Sequence, residues 1–182
     1  MGFITAEMNL NGTLEKYNII PDVLPSKVSP STLLQVDYGP KDVALGNELT
    51  PQDTTQQPSI FFVAPDESAY YTLVMTDPDA PSVQDKKFGP WRHWVVVNIS
   101  GSDLETAKKA ENQQTPYIGP GPGENTGTHR YVFLLYQQKA GKQDFKPMEH
   151  EEKAHRRLFQ LREFEAENQL ELVTVNFFTC PT

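Results

Sequence analysis

The chain has 182 residues, 37% hydrophobic and 22% charged, with a formal net charge of −8 and a pI near 5.0. Those values exclude a disordered or membrane-embedded class, and with no block of Lys or Arg they argue against nucleic acid or an anionic membrane surface as a partner. The length suits one domain, residues 1–182, with a core that needs no metal or disulfide staple.

The single cysteine, Cys180, allows no intrachain disulfide and points to a reducing, cytoplasmic compartment. No apolar run is long enough to span a bilayer, and the opening lacks the basic and apolar regions of a signal peptide. Met1-Gly2 is not read as a myristoylation signal, because Ala6 stands where that signal needs Ser or Thr. Asn11-Gly12-Thr13 and Asn98-Ile99-Ser100 fit the glycosylation pattern, which carries no weight in a protein that is not secreted.

In chain order, Leu10, Leu14 and Tyr17 recur at helical spacing, so a helix is predicted over 5–18, with Pro21 as its stop. A Pro- and Ser-rich loop follows. Leu34, Val36 and Tyr38 alternate with polar residues as in a half-buried strand. Further strands are predicted over 59–64, 70–76, 93–99, 131–136 and 170–178, each a short apolar or β-branched run bounded by turn residues. Ser102 and Glu105 read as a capping box for a short helix over 103–111. The longest helix is predicted over 149–168, with Ala154, Leu158, Leu161 and Phe164 as its apolar stripe and a solvated charged face. Many short strands and few helices give a mainly β fold, an antiparallel β-sandwich with peripheral helices.

Three segments depart from ordinary strand and turn language. Asp77-Pro78-Asp79-Ala80-Pro81-Ser82 follows a strand directly; its two prolines stiffen the turn that holds the Asp77 carboxylate. Gly89-Pro90-Trp91-Arg92-His93-Trp94 opens another strand. Gly119-Pro120-Gly121-Pro122-Gly123 leads through Gly127-Thr128 to His129-Arg130-Tyr131, where His129 and Tyr131 share one face of a strand. Each alone reads better as structure: a proline turn, a hydrogen-bonded histidine, a surface loop.

Together, in this order and spacing, the three segments resemble the phosphatidylethanolamine-binding-protein (PEBP) family, over about residues 10–179. Val43-Ala44-Leu45-Gly46-Asn47, Leu73-Val74-Met75-Thr76, the run His129 to Tyr136, and Asn168 to Val173 leading to Asn176-Phe177-Phe178 resemble its carboxypeptidase Y inhibitor branch.

The resemblance implies a β-sandwich with a small cavity for phosphate-like groups; no cofactor or metal is expected. Asp77 and His93 would be a paired acid and imidazole on its floor, Trp91 the aromatic beside them, Gly121 and Pro122 the wall, His129 and Tyr131 the donors opposite, and Ala80 and Pro81 the rim. The implied ligand is a small phosphate-like anion or a phosphoethanolamine head group. A carboxylate beside His93 would favour its charged form, so binding is expected to tighten as pH falls through about 7 to 5. Gly123 stands where many relatives have a second Pro, which makes the wall less rigid. Because the sequence ends soon after Phe177-Phe178, a C-terminal helix over the mouth is not expected, and the ligand would be more exposed.

Against catalysis, the four histidines, His93, His129, His150 and His155, show no zinc spacing, and no nucleophile elbow is present. The branch resemblance implies inhibition of a serine carboxypeptidase, with the apolar opening Met1-Gly2-Phe3-Ile4 as one contact. The alternative is a signalling scaffold that binds kinases or regulatory proteins.

Overall fold

The computed structural model describes residues 2–182, with side chains from Asn9 onward. Helix α1 (Gly2–Lys16) buries Leu10 and Leu14 and is followed by a single turn, α2 (Ile19–Asp22). Seven strands follow: β1 (Gln35–Asp37), β2 (Ser59–Phe61), β3 (Tyr70–Asp77), β4 (Trp91–Ser100), β5 (Gln113–Thr115), β6 (His129–Gln138) and β7 (Leu170–Cys180). A short helix, α3 (Leu161–Glu167), precedes the last of them.

Strands β1 and β2 pair as a small antiparallel sheet. The other five form an antiparallel sheet in the order β5-β4-β3-β6-β7. This larger sheet is covered on both faces, and the alternation of side chains along each strand sorts its residues between two cores. Leu73, Met75, Tyr131, Phe133 and Phe178 face the small sheet, against Val36, Tyr38 and Phe62. Val74, Val95, Val132, Leu134 and Phe177 face the other way, against Leu10 and Leu14 of α1 and Phe159 and Phe164 near α3. Burial on both sides explains why β3, β4 and β6 read as continuous apolar runs rather than alternating ones. The fold is mainly β, two packed antiparallel sheets with peripheral helices, as the turn-bounded strand pattern predicts.

Two predicted helices differ. The segment 149–168 is not one helix: a 3₁₀ turn at Lys153–Arg156 is separated from α3 by Leu158, which has φ 54° and is 55% exposed. The amides of Leu158 and Phe159 bond to the carbonyls of Phe88 and Pro90 instead of to their own preceding turn. Cross-chain pairing replaces helical bonding there; Leu161 and Phe164 are buried, while Ala154 is exposed. Over 103–111 the chain forms 3₁₀ turns, Leu104–Lys108 and the first part of Ala110–Asn112. The cap is Asp103, which accepts from the Glu105 amide, and not Ser102. Strand β5 was carried by Gln and Thr, with no apolar run to announce it.

Among the described residues no helix is long and apolar enough to cross a membrane.

Candidate functional site: a cavity at the ends of three strands

The site is assembled where β3 ends and β4 and β6 begin. At the end of β3, Asp77 Oδ1 accepts from the amide of Asp79 at 2.7 Å, folding the turn back on itself. Its other oxygen, Oδ2, lies 2.8 Å from His129 Nδ1 at the start of β6. Asp79 faces away from Asp77 and binds Arg130 through its guanidinium and its amide. Burial opposes charge on Asp79, but Arg130 outweighs it and holds that carboxyl below its ordinary range. The turn is therefore anchored on both sides, and Ala80-Pro81 continues it through a cis peptide.

Strand β4 contributes through a bulge. Met75 pairs with Trp94 and Thr76 with Arg92, so His93 has no partner on β3. An extra residue reverses the alternation. Trp94 keeps its place in the core beneath the small sheet. Arg92 crosses to the opposite face, with its guanidinium over Phe159 at 5.7 Å. His93 is turned onto the face of Tyr131, ring centroids 5.1 Å apart, with Trp91 at 4.5 Å. Trp91 and His93 thus share a face, whereas Arg92 and Trp94 do not.

The nine residues singled out in the sequence (Asp77, Ala80, Pro81, Trp91, His93, Gly121, Pro122, His129 and Tyr131) all border one cavity of about 380 Å³. The imidazoles of His93 and His129 lie on the same hollow. The Gly-Pro loop forms the wall because Gly119 packs against the backbone of Thr54: a Cβ there would collide with the Thr54 carbonyl oxygen. Sequence reasoning missed Phe88, Ile118, Thr126, Lys153 and Arg157, which also line the cavity. The last two were assigned to a solvated helix face, and only the break at Leu158 brings their turn to the mouth.

The internal bonding differs from the predicted pair. Asp77 is bonded to His129, not to His93. His129 Nε2 is 2.9 Å from Thr126 Oγ1, which donates to the Gly123 carbonyl at 2.7 Å. Both ring nitrogens of His129 are therefore engaged within the protein. His93 is 5% exposed, and its Nδ1 lies 2.7 Å from the Ile118 carbonyl. Burial is the largest influence on His93 and outweighs the attraction of Asp77, lowering its pKa from 6.5 to about 4. Burial thus works against the charging of His93 between pH 7 and 5 on which the expected tightening rests.

Tyr131 stacks on Phe178 at 5.1 Å, and burial, then the charge of Asp77, raises its phenol well above the ordinary value. It remains an O–H donor at neutral pH. Behind the floor lies buried Arg156, whose guanidinium sits over Trp91 at 5.6 Å and donates to the carbonyls of Arg92, His93 and Pro116. Among the described residues no group of three or more His, Cys, Asp or Glu side chains is arranged to hold a metal ion.

Residues 39–178 match the family model for phosphatidylethanolamine-binding protein. The chain belongs to that family. Solved structures agree with the assignment. A carboxypeptidase Y inhibitor, crystallised with its cognate proteinase, is 28% identical over 97% of this chain and 96% of its own, with a TM-score of 0.82. A phosphatidylethanolamine-binding protein from Plasmodium vivax shares the fold at 24% identity, over 93% of this chain and 96% of its own, with a TM-score of 0.75. The protein CG7054, known from a solution structure, is 34% identical over 91% of this chain and 92% of its own, with a TM-score of 0.63.

Proposed function

We propose that this chain is a non-catalytic binding protein that takes a small phosphate-bearing anion into the cavity bordered by Asp77, His93, Gly121 and Tyr131. The observation that carries this reading is the convergence of three strand ends and the Gly-Pro loop on one hollow of about 380 Å³, with a phenol that keeps its proton on one side and cationic side chains around the mouth and floor. Polar groups converging in a small cavity are the mark of a ligand site. The hydroxyl nearest a base, Thr126 Oγ1 at 2.9 Å from His129 Nε2, already donates to the Gly123 carbonyl, and this supports binding over chemistry.

Calorimetric titration of phosphoethanolamine tests the reading. Tyr131→Phe removes one hydroxyl and keeps the ring packing on Phe178. Binding to the native chain, weakened roughly tenfold by Tyr131→Phe with less than about 1 kcal/mol change in stability, is the expected result. Absence of binding to the native chain would refute it.

The likeness to a carboxypeptidase Y inhibitor over nearly the whole chain supports a second role, inhibition of a serine carboxypeptidase. The opening Met1-Gly2-Phe3-Ile4, assigned a part in that contact from the sequence, lies outside the residues whose side chains are described. Inhibition of carboxypeptidase Y by the full chain, lost when residues 1–6 are deleted, is the expected result. Unchanged inhibition after deletion would assign the contact to other surfaces.

A further inference from the structure

The charges around the cavity do not place an anion where the sequence suggested. The Asp77 carboxylate is on the inner wall, bonded to His129 and to the Asp79 amide. His129 has both nitrogens bonded within the protein. His93 stays neutral above about pH 4, and with Nδ1 donating to Ile118 its Nε2 presents a lone pair. Tyr131 adds one neutral O–H. The inner wall therefore offers an anion no uncommitted positive charge.

The mouth does. Lys153 and Arg157 both line the cavity and are exposed. Neither lies within ion-pair distance of a carboxylate among the described residues, although the chain carries 24 acidic side chains. Three acids of the same segment are turned elsewhere: Glu149 and Glu151 lie 3.5 and 3.7 Å from His155, and Glu152 forms a capping box with it. The Arg157 guanidinium lies over the Phe88 ring, 3.8 Å from its centroid. Next to it the Leu158 amide bonds to the Phe88 carbonyl at 3.1 Å. Stacking pre-organises a guanidinium and leaves its N–H edge free for the bidentate bonding that phosphate accepts.

We propose that Lys153 and Arg157 hold the ligand's phosphate at the mouth and select a phosphate monoester dianion over a monoanionic diester. The inference rests on the anion-binding reading of the cavity. Two cations match the charge of a monoester above its second pKa of about 6, and a diester lacks the second charge.

The test is calorimetric titration at pH 8 with three probes: phosphoethanolamine, glycerophosphoethanolamine and inorganic phosphate. The proteins are the native chain, the double variant Lys153→Gln/Arg157→Gln, and Lys142→Gln/Lys146→Gln. The last makes the same change in net charge at exposed lysines away from the cavity. For the native chain, the monoester and inorganic phosphate are expected to bind about tenfold more tightly than the diester. In Lys153→Gln/Arg157→Gln both should weaken by at least about tenfold and the preference should vanish, while the lysine control stays within about twofold of native. Intact preference in the double variant, or equal weakening in the control, overturns the inference and leaves the cavity reading standing. A native chain that binds none of the three overturns both.

Discussion

His93 is neutral because burial outweighs the nearby carboxylate, and this has a measurable consequence for stability. Its folded pKa of about 4 lies below the ordinary 6.5. As pH falls past 6.5 the unfolded chain takes up a proton at this residue and the folded chain does not. Stability is therefore lost from about 6.5 down to 4. By pH 5 the loss from this one group is about 2 kcal/mol. His93→Asn keeps a donor for the Ile118 carbonyl and removes the titration. Denaturant unfolding at pH 7.5 and 5 should show a drop in the native chain about 2 kcal/mol larger than in the variant; equal drops would show that His93 is not buried neutral. Asp77 belongs to the same scale. Asp77→Ala leaves His129 Nδ1 and the Asp79 amide without their acceptor in a buried setting, at an expected cost of about 3 kcal/mol in unfolding free energy. A loss of ligand binding in that variant would therefore report on the fold as much as on the cavity. The residue types of the site were legible in the sequence, because a rigid proline turn, a Gly-Pro loop and paired strand positions are local signals. Which imidazole takes the Asp77 carboxylate was not, since it depends on a bulge that turns His93 away from the alternation of β4.

At the scale of elements, the wall and the mouth are made by two segments with unlike logic. The wall is a loop held by close packing. Gly119→Ala would force a Cβ into the Thr54 carbonyl, so a loss of about 2 kcal/mol or more in stability is expected, with weaker phosphate binding as the wall shifts. A Cβ on Gly121 meets nothing within 4 Å, so Gly121→Ala should melt like the native chain. Thermal unfolding of the two variants side by side checks this; equal melting temperatures would mean that the Gly119 contact does not position the loop. The mouth comes from the 3₁₀ turn Lys153–Arg156 and the residues just after it. Periodicity in the sequence suggested a long helix there, because Leu158, Leu161 and Phe164 fall at helical spacing. The left-handed backbone at Leu158 and its hydrogen bond to the 86–90 loop are tertiary effects with no local signature. Helix α1 and strands β3, β4, β6 and β7 were legible because their apolar residues are local and continuous.

For the whole molecule, the larger sheet covered on both faces is what lets three strand ends act as a rigid frame. The frame reaches outward through Arg130, which joins Asp79 in the turn after β3 to the carbonyls of Tyr17 and Asn18 and to Asp22, at 2.8 to 3.1 Å. This ties the α1–α2 junction to the turn that carries Asp77. The fold class followed from counting short strands between turns. The layering did not, because continuous apolar runs do not say which residue faces which core. The central claim is that the cavity bordered by His93, Gly121 and Tyr131, with Lys153 and Arg157 at its mouth, takes the phosphate-bearing ligand, and it is met most directly by an NMR titration. Amide resonances of the ¹⁵N-labelled chain should shift with added phosphoethanolamine at residues 119–131 and 153–157 together, saturating on one binding curve. Shifts confined to other surfaces, or none at saturating ligand, would contradict it.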